Sequence, residues 1–338
     1  MNGDGSIRLI YNGETSDATG NNTSINNTTY QYSSKYADPT YVGYMYGKDF
    51  SLHTSNEINY TNIIALTEYY FADDYEFDSA TKTFKLAGNI ISGTFSEMQD
   101  KFVDYPYTCR NTNSTSSCQF LLKVNSYVSE TSVRAEYISY SSNSYESTLA
   151  NDNNSTVKTV LDNWYQTNIV GKSDNEGNLL TNYIVDGTFC NDRSFASTSS
   201  GNGYSLVPST LYSAYKRLYS DSNKTATLKC PQSSDNFSIT ASRGNGDLTY
   251  PIALITADEV ALAGGRQGLK NENYYLQTNG YFWTMTPSSS ESANASAGVY
   301  FVYPTGELYL WHNVANSRGV RPVINIRSDV LISQGDWT

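Results

Sequence analysis

The sequence predicts an α+β chain in which short strands outnumber helices. Three observations carry this expectation. Apolar residues alternate with period two in segments from Ile7 to Ile326, only three stretches show the helical period, and Asn, Gly, Ser and Pro interrupt both at short intervals. The expected architecture is a set of mixed antiparallel sheets with two or three short helices, plus an all-β insertion near the N-terminus.

The first strand is Ile7-Arg8-Leu9-Ile10-Tyr11, with Ile7, Leu9 and Tyr11 on one face. Through it, residues 1–50 are expected to join the main domain. Residues 51–150 read as a separate β-rich module, because Thr83–Leu86 and Ser132–Ile138 alternate between turn-rich stretches. A polar border from Ser141 to Asn154 closes the module, and residues 151–338 form the main domain.

At Ser155 the period changes. Val157, Val160, Leu161 and Trp164 fall at i, i+3, i+4 and i+7, with Ser155 or Asn154 available as N-cap. A second helix is expected through Leu211, Tyr215 and Leu218, after Pro208. A third begins where Pro251–Ile255 meets Thr256-Ala257-Asp258-Glu259, a capping box, and stops at Gly264-Gly265. Strands then return at Tyr281–Met285, Val299–Tyr303, Leu308–Trp311 and Val320–Ile326. Pro304-Thr305-Gly306-Glu307 makes the middle two a hairpin.

Composition narrows the function. Only 38% of residues are hydrophobic and 16% charged, while 30 are tyrosine, a side chain suited to strands and binding faces. A net charge of −11 repels phosphate backbones, so no nucleic-acid partner is expected. Lys216-Arg217, the nearest approach to a basic patch, reads as a solvated face. No apolar run is long enough to span a bilayer. Because Met1 leads almost directly into a strand, an export signal or anchor is expected upstream of this fragment, with no membrane insertion of the fragment itself.

Four cysteines permit three pairings, of which Cys109–Cys118 and Cys190–Cys230 are expected. The first pair brackets a polar loop, neither has zinc-site spacing, and disulfides place the chain in an oxidising compartment. The two histidines, His53 and His312, give little material for an imidazole metal site or a Ser-His-Asp relay. No catalytic residue, cofactor or metal is assigned. The acids Asp73, Asp74, Glu76 and Glu259 could converge as a glycosidase pair, but nothing selects them.

Three segments carry a resemblance: Tyr250–Glu259, Trp283-Thr284-Met285-Thr286-Pro287, and Arg318-Gly319-Val320-Arg321-Pro322-Val323-Ile324-Asn325. With Asp162–Tyr165, Phe189–Ser194 and Leu228–Pro231, they are similar, in order, to Gram-positive pilin-like surface proteins. The terminal domain of that group has the C-type-lectin-like fold shared with the sulfatase-modifying-factor family. The resemblance implies a lectin-like scaffold over roughly 155–330 on the bacterial cell surface, where a long loop region and a terminal hairpin form an adaptable face. It does not carry over oxidase activity, since no cysteine follows Cys230.

Around that hairpin the sequence gathers rings and amides: Tyr300, Tyr303, Tyr309, Trp311, His312, Asn313, Asn316 and the Ser288-Ser289-Ser290 loop. Strand alternation assigns about half of the hairpin rings to the interior, and Trp283 with them. Arg318 and Arg321 can equally be structural, pairing with backbone carbonyls. The expected function is an extracellular binding or adhesion protein with a glycan or protein ligand. A pilus-like fibre subunit is the alternative, and a carbohydrate-active enzyme the third reading.

Overall fold

The computed structural model describes residues 5–34, 38–49, 143–205, 209–291, 296–310 and 313–330, together with strand backbones between 51 and 139. The chain is a mixed α and β protein with several small sheets and few short helices. Two sheets organise the main body. In the first, Val323–Ile326 is central and antiparallel to Ile7–Ile10, Ile184–Val185 and Ile252–Ala253. In the second, Phe282–Glu291 pairs with Ser296–Val302, which pairs in turn with Leu308–Tyr309. Ser317–Gly319 joins Phe282–Glu291 through the parallel pair Phe282–Gly319, and its far edge carries Thr29–Gln31. Both N-terminal strands are therefore built into sheets with the C-terminal part of the chain. After these two strands in sequence, Ser51–Asn59, Ser132–Ser139 and Phe120–Ser129 form one antiparallel sheet, and Tyr75–Asp78, Thr83–Leu86 and Asn89–Ile91 another.

The expected hairpin is present. Gly306 N donates to Tyr303 O at 2.9 Å and Tyr303 N to Glu307 O at 2.8 Å, with Gly306 at φ 75°. A Cβ at Gly306 would meet Asn271 O at 1.9 Å, so only glycine fits this turn.

Helix α1, Thr156–Asn168, begins where the period changes, and Ser155 caps it by accepting from Lys158 N at 3.2 Å. Val157, Leu161 and Tyr165 face the core, while Trp164 lies at its margin, edge-on to Tyr11. Helix α2, Ala257–Ala263, carries the reciprocal cap. Glu259 N donates to Thr256 Oγ1 at 3.1 Å, and Thr256 N donates to Glu259 Oε2 at 2.8 Å. Gly264, at φ 120°, ends it. Thr256→Ala is expected to cost about 1 kcal/mol, read as a lowered urea midpoint with an unchanged m-value.

The middle helix is shorter than its spacing predicted. Leu211 is claimed by a strand, Thr210–Leu211, paired to Ser289–Ser290. The helical part is one turn, Ser213–Tyr215, running into a wide π-type turn, Lys216–Ser220. That turn overrides the solvated reading of Arg217, whose guanidinium is bonded to Asp192 and Asp258.

Buried polar groups fasten segments distant in sequence. Asn191 accepts from Tyr44 N at 2.8 Å and donates to Met285 O at 2.6 Å. Arg321, stacked over Phe282, donates to Tyr11 O and Leu276 O, both at 2.9 Å, and to Asn12 Oδ1 at 2.8 Å. Burial lowers the Arg321 pKa to about 10, which leaves it charged at neutral pH. Its carbonyl pairings agree with the structural reading. Cys190 and Cys230 are joined in a disulfide; Cys109 and Cys118 lie outside the described residues.

Candidate functional site

The hairpin register decides which rings share a face. Trp283 opposes Phe301, and Phe301 opposes Tyr309. Residues two apart on a strand point the same way, so Tyr281 sits with Trp283, and Tyr303 with Phe301. One face of the sheet therefore collects Tyr281, Trp283, Phe301, Tyr303 and Tyr309. Trp283 is sealed by the edge of Tyr32 at 5.8 Å and donates from Nε1 to Tyr30 O at 2.9 Å. Going outward, Phe301 is still buried, Tyr303 and Tyr309 are half-buried, and Tyr281 is 39% exposed.

These rings hold one another. Tyr303 lies 5.0 Å from Tyr281 and 4.9 Å from Tyr309 between centroids, and Phe301 is 5.2 Å from Tyr303 and 5.6 Å from Tyr309. Such tilted and edge-on pairs contribute roughly 0.5–1.5 kcal/mol each beyond area burial. Arg318 completes the cluster, its guanidinium carbon 5.0 Å from both the Tyr281 and Phe301 centroids. Burial lowers the Arg318 pKa, yet a guanidinium stays protonated. Burial, followed by the neighbouring Tyr309 and Tyr281, raises that of Tyr303, which stays a neutral hydroxyl. The face thus offers three rings in fixed orientations, phenol groups and one cation.

Of the residues expected to meet a ligand, Tyr303 and Tyr309 are brought together here. Four others are corrected. Ser288, Ser289 and Ser290 are not a loop but the end of the Phe282–Glu291 strand, and all three are buried. Their composition suggested a loop; pairing with Thr210–Leu211 on one side and Ala297–Gly298 on the other makes them sheet interior. Ser288 Oγ donates to Leu310 O at 2.9 Å. Tyr300 is also buried, because alternation turns it to the opposite face, where its hydroxyl donates to Ala214 O at 3.2 Å.

Asn313 and Asn316 form a turn in which Asn313 Oδ1 accepts from Ala315 N at 2.8 Å. Asn313 bridges to Gly298, whereas Tyr309 pairs with Phe301, three residues further along the same strand. That spacing separates the turn from the rings by about 10 Å. Trp311 and His312 lie outside the described residues.

Sequence reasoning missed Tyr281 and left Arg318 without a binding role. Tyr281 was legible in principle as the residue two before Trp283. Arg318 was not, since its ring contacts depend on the parallel pairing of Ser317–Gly319 beside Phe282. Among the described residues, no cluster of His, Cys, Asp and Glu has the form of a metal site. No helix there is long and apolar enough to cross a membrane. No family model matches the sequence, and neither a curated protein nor a solved structure is significantly similar to it.

Proposed function

We propose that the protein is an extracellular binding or adhesion protein of the bacterial cell surface, using Tyr281, Tyr303, Tyr309 and Arg318 to contact a glycan or protein. The observation that supports this most is the graded ring cluster. Its inner members are fixed by the core and its outer members are open, so little freedom remains to be lost when a partner lands on it. The lectin-like scaffold belongs to the same proposal. It is supported by the terminal hairpin standing at one side of mixed sheets, and by the order of the resembling segments. The Cys190–Cys230 bond supports an oxidising compartment.

The test is a glycan and host-protein array probed with the wild type and with Tyr281→Ala and Tyr303→Ala. Both variants are expected to lose capture about tenfold or more, as truncated aromatic anchors do. The thermal midpoint should change little for the more exposed Tyr281→Ala and fall measurably for Tyr303→Ala, which loses three ring contacts. A specific array signal that both variants retain, or no signal on either array, would overturn the reading. Product formation from a glycan would replace it with an enzyme.

A further inference from the structure

A second feature shares no lining residue with the aromatic face. A cavity of about 500 Å³ lies between the start of α2, the π-type turn and the disulfide, within the size range of small-molecule sites. Both halves of the Cys190–Cys230 bond are in its wall. Its lining holds four basic side chains, Arg8, Arg217, Lys229 and Arg243, and three acidic ones, Asp192, Asp258 and Glu259. A net positive lining is unusual in a chain of charge −11.

Donor and acceptor counts decide which ligand chemistry suits it. All six carboxylate oxygens already accept. Asp258 takes Arg217 Nε at 2.7 Å and Thr227 N at 3.0 Å on Oδ1, and Arg217 Nη2 at 2.6 Å on Oδ2. Asp192 takes Arg217 Nη1 at 2.6 Å on Oδ2, and Ser194 N at 3.1 Å on Oδ1. Glu259 takes Arg8 Nη1 on Oε1 and the Thr256 cap on Oε2.

A carboxylate oxygen takes about two bonds, so some acceptor capacity is left, but the donors are in larger excess. Each guanidinium has five N–H groups. Arg217 uses three on the carboxylates, and Arg8 uses three on Glu259, Thr188 O and Asn325 Oδ1. Two on each remain, on side chains still 16% and 22% exposed. Lys229, exposed at the rim, adds an ammonium, and Leu228 beside it is 71% exposed. The π-type turn that carries Arg217 is a distortion found disproportionately at functional sites.

We propose that this cavity binds a small organic anion of sugar-acid size. Its carboxylate or phosphate meets the unused N–H groups of Arg8 and Arg217 and the Lys229 ammonium, and its carbon body lies against Leu228. The acids hold the two guanidinia in place and restrict the site to one negative group, since a second would face Asp192, Asp258 and Glu259. The volume exceeds that of an inorganic ion, and the apolar rim suits an organic body.

Titration calorimetry of the full chain with sodium glucuronate, glucose 6-phosphate and glucose tests this. One or both acids are expected to bind, with glucose about tenfold weaker or undetectable at about 10 mM. Carboxylate-only or phosphate-only binding would each support the site and name its group. Lys229→Glu, at an exposed position, is expected to weaken the acid about tenfold without lowering the thermal midpoint. Tyr281→Ala should leave it unchanged, so failure of the aromatic face and failure of this cavity are separable. Binding of neither acid, equal binding of glucose, or affinity indifferent to Lys229→Glu would overturn the proposal.

Discussion

Asp235→Ala is expected to destabilise the protein by about 3–5 kcal/mol, the range for breaking a buried ion pair by removing one partner. The Asp235 carboxylate accepts from Arg193 Nε at 2.7 Å and from Arg193 N at 2.6 Å, and both side chains are almost wholly buried. Without it, a guanidinium would stay buried beside the vacated volume. Its Nη1 and Nη2 donate to Met45 O at 3.0 Å and Asn151 Oδ1 at 2.8 Å, neither of which supplies a negative charge. The same four residues join segments near 45, 151, 193 and 235, so the loss reaches packing between distant parts of the chain. Urea unfolding of the variant measures it. Asp329→Ala is the control, since the Arg327–Asp329 pair is half-exposed or more on both sides and its removal should leave the midpoint where it was. A loss below about 1 kcal/mol for Asp235→Ala would show that water or a shifted partner replaces the carboxylate.

Removing the Cys190–Cys230 bond by Cys190→Ser with Cys230→Ser is expected to cost about 4 kcal/mol in the chain-entropy account, for a loop of 40 residues. The loop closed by this bond contains Asp192, Arg193 and Arg217, so an unfolded chain lacking it gains freedom where the two ionic clusters must assemble. Double substitution isolates this bond, whereas a reducing agent would act on every disulfide at once. Chemical denaturation with and without the substitutions gives the difference. An unchanged midpoint would mean that the loop is already confined in the unfolded chain.

What could be read from the sequence was local. Ser155 and the Val157–Leu161 spacing, the Thr256–Glu259 box and the Pro304–Glu307 turn each act within a few residues, and each stands where expected. What could not be read depends on residues far apart in the chain. Arg217 meets Asp192 and Asp258 across 25 and 41 residues, and nothing beside Lys216 announces either partner. Ser288–Ser290 have the composition of a loop and become strand because neighbours on both sides pair with them. At the hairpin, alternation foretold that about half the rings would turn inward. Identifying Tyr300 as one of them required the register, and Arg318 joined the rings through a pairing that no short-range pattern encodes.

The union of Ile7–Ile10 with Val323–Ile326 has a mechanical consequence. Ile7 faces Ile326 and Ile10 faces Val323, so the two ends leave this ladder on the same side. A load pulling those ends apart would peel the four pairs in succession instead of shearing them together. The outermost seam would then yield at low force, before tension reached the sheet that carries the rings.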